Sequence, residues 1–209
     1  MNTTNDAMLM QRVADGDELA FAEIVDRYKN PLINYLTHLV RSRERAEDFA
    51  QEAFVRLYKS ASKNGDLDRI GAYLYRIATN LVVTEVRRER RWSLLLPRLN
   101  VSMARTPATP DADLLADEIQ AKVTAALERL PLKYRAPLVL YEIEEWPYDE
   151  IARALDCRLG TVKSRIARAR ELLRRQLSGW WNGGNYERHR TSQRAADTAA
   201  HERIATLHV

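Results

Sequence analysis

The stretch YDEIARALDCRLGTVKSRIARAR, residues 148–170, has the arithmetic of a helix-turn-helix. Ile151, Ala152 and Leu155 are spaced to face inward on a first helix, and Val162 and Ile166, four apart, on a second. Ala152 is small enough to let the second helix cross closely. Gly160-Thr161 opens that second helix, where free backbone N–H groups suit a phosphate. From Cys157 to Leu177 there are seven basic residues (Arg158, Lys163, Arg165, Arg168, Arg170, Arg174, Arg175) and one acid, Glu171. Lys163, Ser164 and Ala167 or Arg168 lie opposite Val162 and Ile166 near the helix start, where this motif reads the major groove. A merely solvated basic helix would place its cations toward the C-terminal dipole end. It would not also combine a small residue, a turn and a basic outer face. The motif therefore predicts DNA binding.

Outward from this motif, the composition supports a helical chain. Glycine and proline make up 14 of 209 residues, about 7%, against a usual combined share of about 12%. That scarcity excludes a turn-dense β sandwich and a low-complexity chain. The hydrophobic share of 45% is enough for ordinary small cores. Apolar residues recur at three to four, and strand-like alternation is nearly absent. One cysteine, Cys157, excludes an intrachain disulfide and a Cys-rich zinc site. The N-terminus MNTTNDAMLM lacks the pattern of a secretory signal, and no apolar run approaches a membrane span. A cytoplasmic, all-α protein without membrane insertion of its own is the expectation.

Residues 7–29 predict a pair of helices broken at Asp15-Gly16-Asp17, the second capped there and carrying Leu19, Phe21, Ala22, Ile24 and Val25 as apolar contacts. Pro31 is placed to open another helix through Leu32, Tyr35, Leu36 and Leu39. Further helices are predicted at 44–60 and 71–91, with a loop at Lys63-Asn64-Gly65-Asp66 between them. The pattern collapses over 96–113, where three prolines and small polar residues read as an exposed, flexible linker. Fully extended, its 18 residues reach about 60 Å at roughly 3.3 Å each. Helical pattern resumes over 114–178. Residues 179–209 read as a mobile C-terminal tail, with Trp180 and Trp181 placed to cap the second domain, meet a partner or fold back on the first. The expected architecture is two small helical domains, 1–95 and 114–178, the second holding the helix-turn-helix.

Three separated blocks resemble those of the extracytoplasmic-function (ECF) group of bacterial RNA polymerase sigma factors. They are RAEDFAQEAFVRLY (45–58), AYLYRIATNL (72–81) with the Arg-rich end RRERR (87–91), and LPLKYR (130–135) followed by DEIA (149–152) and GTVKSRIARAR (160–170). Their order and spacing match the family's two-domain plan over roughly 8–178.

The resemblance implies that the first block binds the clamp helices of core RNA polymerase. Asp48, Glu52, Val55 and Lys59 share one outer face with Gln51 alongside, while Phe49, Ala53 and Leu57 face the core. The second block would recognise and open the promoter −10 element. Tyr73, Arg76, Asn80, Thr84, Arg87 and Arg91 form one polar stripe ending in a basic cluster that includes Arg88, with arginines for the backbone and an aromatic or amide for an unstacked base. A preceding loop, here about Asn64 to Arg69, would cup an extruded base. Thr84 stands where the family often has Asp. In the third block, Lys163, Ser164 and Arg168 would contact base edges of the −35 element, and Arg158, Thr161 and Arg165 phosphates. Asp156 occupies a turn position where such motifs often carry glycine, and Asp tolerates unusual backbone angles. The linker's reach equals roughly 17 bp at about 3.4 Å each.

Core polymerase, promoter DNA and an anti-sigma factor are the partners the resemblance implies. A stand-alone helix-turn-helix regulator would leave the first two blocks without purpose, and a sigma mimic that only binds an anti-sigma protein would not need the DNA-directed cations. An enzyme fits worst. His38, His189, His201 and His208 have no metal-ligand spacing, no phosphate loop or nucleophile motif occurs, and no cofactor or metal is expected. Cys157, in the turn, reads as structural.

Overall fold

The computed structural model describes residues 3–61, 69–95 and 114–181. Its helices are α1 (Thr3–Ala14), α2 (Glu18–Val40), α3 (Arg43–Ala61), α4 (Ile70–Leu95), α5 (Leu114–Arg129), α6 (Leu132–Glu142), α7 (Tyr148–Ala154) and α8 (Leu159–Trp181). No strand occurs among the described residues.

The break between α1 and α2 follows from local chemistry. Gly16 takes φ +91°, a conformation side chains avoid. Asp17 then caps α2, its carboxylate accepting from the N–H groups of Leu19 (3.0 Å) and Ala20 (3.1 Å). Arg12 donates to the same carboxylate at 2.7 Å, and this guanidinium with the cap bonds holds its pKa below the ordinary value. The α1–α2 pair is also tied by Asp6, 2% exposed, which accepts from the Tyr28 hydroxyl at 2.5 Å and from Arg27.

Contrary to the sequence expectation, Pro31 does not open a helix. The α2 helix runs through it from Glu18 to Val40. An interior proline costs about 3 kcal/mol, but Ile24, Tyr28, Leu32, Ile33, Tyr35, Leu36 and Leu39 are all buried along this helix, and each such side chain contributes about 1.5–3 kcal/mol. Leu19 and Ala22, expected as core contacts, are exposed, whereas Ile24 is fully buried and Phe21 and Val25 partly so.

The α2 helix packs on α3 and α4, with the Tyr35 hydroxyl 2.9 Å from the Thr79 hydroxyl inside the core and Arg45 of α3 bonded to Glu89 of α4 at 2.7 Å. In the second half, α6 and α5 pack against α8, and α7 crosses α8. The two halves dock on each other. The α7 helix lies against α4, α6 against α2, and one continuous core runs from Leu9 to Ala169.

Candidate nucleic-acid interface

The helix-turn-helix comprises α7, a turn over 155–158, and α8. Ile151, Val162 and Ile166 are essentially fully buried, as their spacing predicts. The small residue at the crossing is a correction: Ala154 is fully buried, while Ala152 is only half-buried. Ala152 follows the buried Ile151 by one position, about 100° of rotation, which carries it to the flank beside Cys157. Asp156 adopts φ +47°, the left-handed conformation its place in the turn requires. Cys157 is half-buried, and burial pushes its thiol pKa up.

On α8 the reading face is distinct from the core face. Arg158, Lys163, Ser164 and Arg168 are exposed, Thr161 and Arg165 half-exposed. The Ser164 hydroxyl donates to the Thr161 carbonyl at 3.0 Å. Arg168 is held by Glu171 at 2.5 Å, and this cation lowers the Glu171 pKa. The helix start differs from expectation in one respect. The Thr161 N–H already donates to the Arg158 carbonyl at 2.8 Å, so a phosphate would meet the N–H groups of the preceding turn. Arg170 is drawn away from the reading face. Its guanidinium lies 5.2 Å over the Tyr141 ring and bonds Glu142 at 2.6 Å, while Tyr141 stacks on Tyr148 at 4.7 Å.

On α4, Asn80, Thr84, Arg87, Arg88 and Arg91 are exposed, Tyr73 and Arg76 half-buried, with the Arg76 guanidinium 5.0 Å over the Tyr73 ring. The Thr84 hydroxyl returns to the Asn80 carbonyl at 2.8 Å, and Arg88 bonds Glu85 at 2.8 Å. Arg69, just before α4, is exposed and stands 4.0 Å from Glu150 of α7. Asn64 lies outside the described residues, as do the linker 96–113 and residues 182–209 of the tail. The α8 helix itself continues three residues past 178, into what the sequence assigns to the tail.

On α3, Asp48, Gln51, Glu52, Val55 and Lys59 are all exposed, Glu52 bonding Arg56 at 2.8 Å, while Ala53, Phe54 and Leu57 are buried behind them and Phe49 packs on the core. The helix thus separates an acidic, amide-bearing face from an apolar one.

Residues 24–92 match the family model of Sigma-70 region 2, and residues 120–173 that of Sigma-70, region 4. The ECF RNA polymerase sigma factor SigW of Bacillus subtilis is 34% identical over 176 residues, 80% of this chain and 94% of SigW. The ECF RNA polymerase sigma-E factor of Haemophilus influenzae is 33% identical over 180 residues, 82% and 95% of the two chains.

The chain belongs to the ECF group of RNA polymerase sigma factors.

As an ECF sigma factor it is a transcription initiation factor, and its fold agrees. The sigma factor RpoE of Bartonella quintana, solved with the anti-sigma factor NepR, matches with a TM-score of 0.59 at 23% identity, covering 76% of this chain and 96% of that one. CnrH, solved with the cytosolic domain of CnrY, matches with a TM-score of 0.62 at 22% identity, covering 84% and 98%.

The sequence reading gave no role to the residues that join the two halves of this sigma factor. Arg135, 7% exposed, donates to the carbonyls of His38 (3.3 Å), Leu39 (3.2 Å) and Leu130 (3.1 Å). Burial and nearby Arg41 lower its pKa to about 10, against the opposing pull of Glu128. Trp146, 4% exposed, sits 4.5 Å from Tyr75 of α4. A tryptophan flanked by charge and proline was the available signal for the second contact. The first had none, because the acceptors that carry it across the junction, the His38 and Leu39 carbonyls, are backbone groups nearly a hundred residues away.

Proposed function

We propose that this sigma factor binds core RNA polymerase through the exposed face of α3, engages the −10 element with α4 and the residues before it, and reads the −35 element with α8. The domain plan assigned to it is 1–95 for polymerase and −10 binding, 96–113 as linker, 114–178 for −35 binding and 179–209 as tail. Lys163, Ser164 and Arg168 meet base edges, and Arg158, Thr161 and Arg165 meet phosphates. Asn80 and Tyr73 meet an unstacked base, with Arg69, Arg76, Arg87, Arg88 and Arg91 on the backbone. Asn64 belongs to the loop that cups the base. The chain contributes binding and not catalysis, and strand opening draws on the free energy of base capture.

The observation that carries this reading is the division of α8. Lys163, Ser164 and Arg168 are open to solvent on the same turns whose other side buries Val162, Ile166 and Ala169. The same division on α3 supports the polymerase contact, since Asp48, Gln51 and Glu52 form an acidic, amide-bearing surface suited to a basic helix. An anti-sigma factor is proposed as a regulator on family grounds, in keeping with the capture of RpoE with NepR. Action in the cytoplasm follows from the polymerase partner, and no helix among the described residues is long and apolar enough to cross a membrane.

The test is to reverse charge at Asp48→Lys and Glu52→Lys together. Affinity for core polymerase should fall at least tenfold while binding to a −35 duplex is unchanged. Retention of full polymerase affinity would remove α3 from the contact.

A further inference from the structure

The recognition helix α8 carries six basic residues and a single acid, Glu171. That acid lies on the reading face. Seven residues separate it from the exposed Ser164, close to two helical turns, so the two side chains leave the helix within about 20° of each other. Glu171 sits about 10 Å beyond Ser164 along the axis, at about 1.5 Å per residue. A carboxylate in this place repels phosphates and lowers the affinity that the neighbouring cations supply. Some other gain must offset that repulsion.

The contacts of Glu171 supply one. Its Oε2 accepts from Nη1 of Arg168 at 2.5 Å, and its Oε1 from Nη2 of Arg175 at 2.5 Å. Both oxygens are engaged. Arg168, then Arg175 and Arg174, hold the Glu171 pKa below its ordinary value, so the group is a carboxylate when it meets DNA. Because Arg168 is held through Nη1, the Nε–Nη2 edge of its fork is left for a bidentate contact with guanine O6 and N7. The same carboxylate draws Arg175 away from phosphate. In water these pairs are weak, since Arg168 and Arg175 keep 46% and 67% of their side-chain surface exposed. In the groove, where water is displaced, the same contacts strengthen.

We propose that Glu171 is a positioning residue for −35 recognition, fixing the Arg168 guanidinium for one base pair and holding Arg168 and Arg175 off the phosphates. This rests on the assignment of Arg168 to a base edge made above. Two consequences separate this role from that of an ordinary surface acid. An untethered arginine reaches a phosphate on any duplex, a contact without sequence information, so loss of the carboxylate adds non-specific affinity. The same loss loosens the fork on which discrimination at one base pair depends and leaves the other pairs as they were. Specificity is a difference of affinities, and Glu171 raises it by weakening the wrong complexes as well as ordering the right one.

The experiment uses the full chain, the tightest duplex it selects from a random pool, and single-pair variants of that duplex. Glu171→Gln keeps the shape of the side chain and removes its charge. It should bind unrelated duplex about threefold tighter and steepen the dependence of log K on log salt by about 0.9, the equivalent of one more phosphate contact. Discrimination at the base pair that Arg168→Ala identifies should fall about fivefold, with discrimination at the remaining pairs unchanged. Glu171→Asp, which keeps the charge on a shorter stem, should restore part of it. With Arg168→Ala already in place, Glu171→Gln should change discrimination at that pair no further, because the guanidinium it positions is gone. A Glu171→Gln variant with the parent's discrimination and salt slope overturns the proposal. So does a loss spread evenly over all base pairs, which a merely distorted helix would give. If Arg168→Ala itself leaves discrimination intact at every pair, the assignment of Arg168 falls and the positioning role falls with it.

Discussion

Replacing Arg135 should show how a buried cation without an acidic partner at bonding distance holds two helix ends together. Its guanidinium donates to His38 and Leu39 carbonyls in the last turn of α2 and to the Leu130 carbonyl just beyond α5, at 3.1–3.3 Å. Helix C-terminal carbonyls lack intrahelical donors and carry the negative end of the dipole, so they are natural acceptors for a cation. Arg135→Met keeps length and apolar volume while removing the charge and all donors. Hydrogen bonds to a charged donor contribute about 1.5–3 kcal/mol each, and these long ones belong at the low end, about 4–5 kcal/mol together. Relief from burying the cation offsets a few kcal/mol, leaving a net loss of about 2 kcal/mol. Arg135→Ala adds a cavity and should lose about 3–4 kcal/mol. Arg135→Lys, which keeps the charge but loses the fork, should lose about 1 kcal/mol. At about 2–4 °C per kcal/mol for a chain of this size, the alanine variant should melt about 6–16 °C lower. Urea unfolding followed by helical circular dichroism measures the series. A methionine variant as stable as the parent would refute the reasoning and make the guanidinium a net cost.

Three other perturbations have defined outcomes. Glu145 holds φ +54° in the turn before α7, so Glu145→Gly should raise stability by about 0.5–1 kcal/mol in the same assay. Asp17→Ala should cost about 1 kcal/mol through loss of the α2 cap. Because the folded Asp17 pKa lies below its ordinary value of 3.8, that contribution is present above the unfolded pKa and is lost as pH falls through the folded one. The parent and the alanine variant should therefore converge in strong acid. Arg168→Ala should cost about 1–3 kcal/mol and relax selectivity at one base pair of the −35 element, measured by duplex competition, whereas Arg158→Ala should weaken all duplexes alike and reduce the salt slope by about 0.9.

Local patterns were the legible part of this protein. Val162 and Ile166 announced the buried face of α8 because helical spacing is a property of neighbours. Asp17 announced a cap, and Asp156 a strained turn, for the same reason. The division of α3 into an exposed acidic side and a core side also followed from spacing alone. Pro31 misled, since its local tendency to begin a helix was outweighed by the apolar stripe continuing on both sides. Ala152 and Ala154 lie two positions apart on α7, about 200° of helix rotation, and the sequence offered two alanines without showing which one the fold buries. Long-range partners were not legible. Nothing near Arg170 in the sequence shows that Glu142 and Tyr141 would take it off the reading face. Likewise Arg69 and Glu150, 81 positions apart in the numbering, meet only because α7 packs against α4.

The central claim is that this chain directs initiation by reading a promoter through α8 and docking on core polymerase through α3. Run-off transcription with purified bacterial core polymerase on DNA from the source genome tests it most directly. The account predicts transcripts from defined starts that disappear with Arg168→Ala, while that variant still binds core polymerase. Absence of polymerase binding by the parent chain, or transcripts indifferent to Arg168, would contradict it.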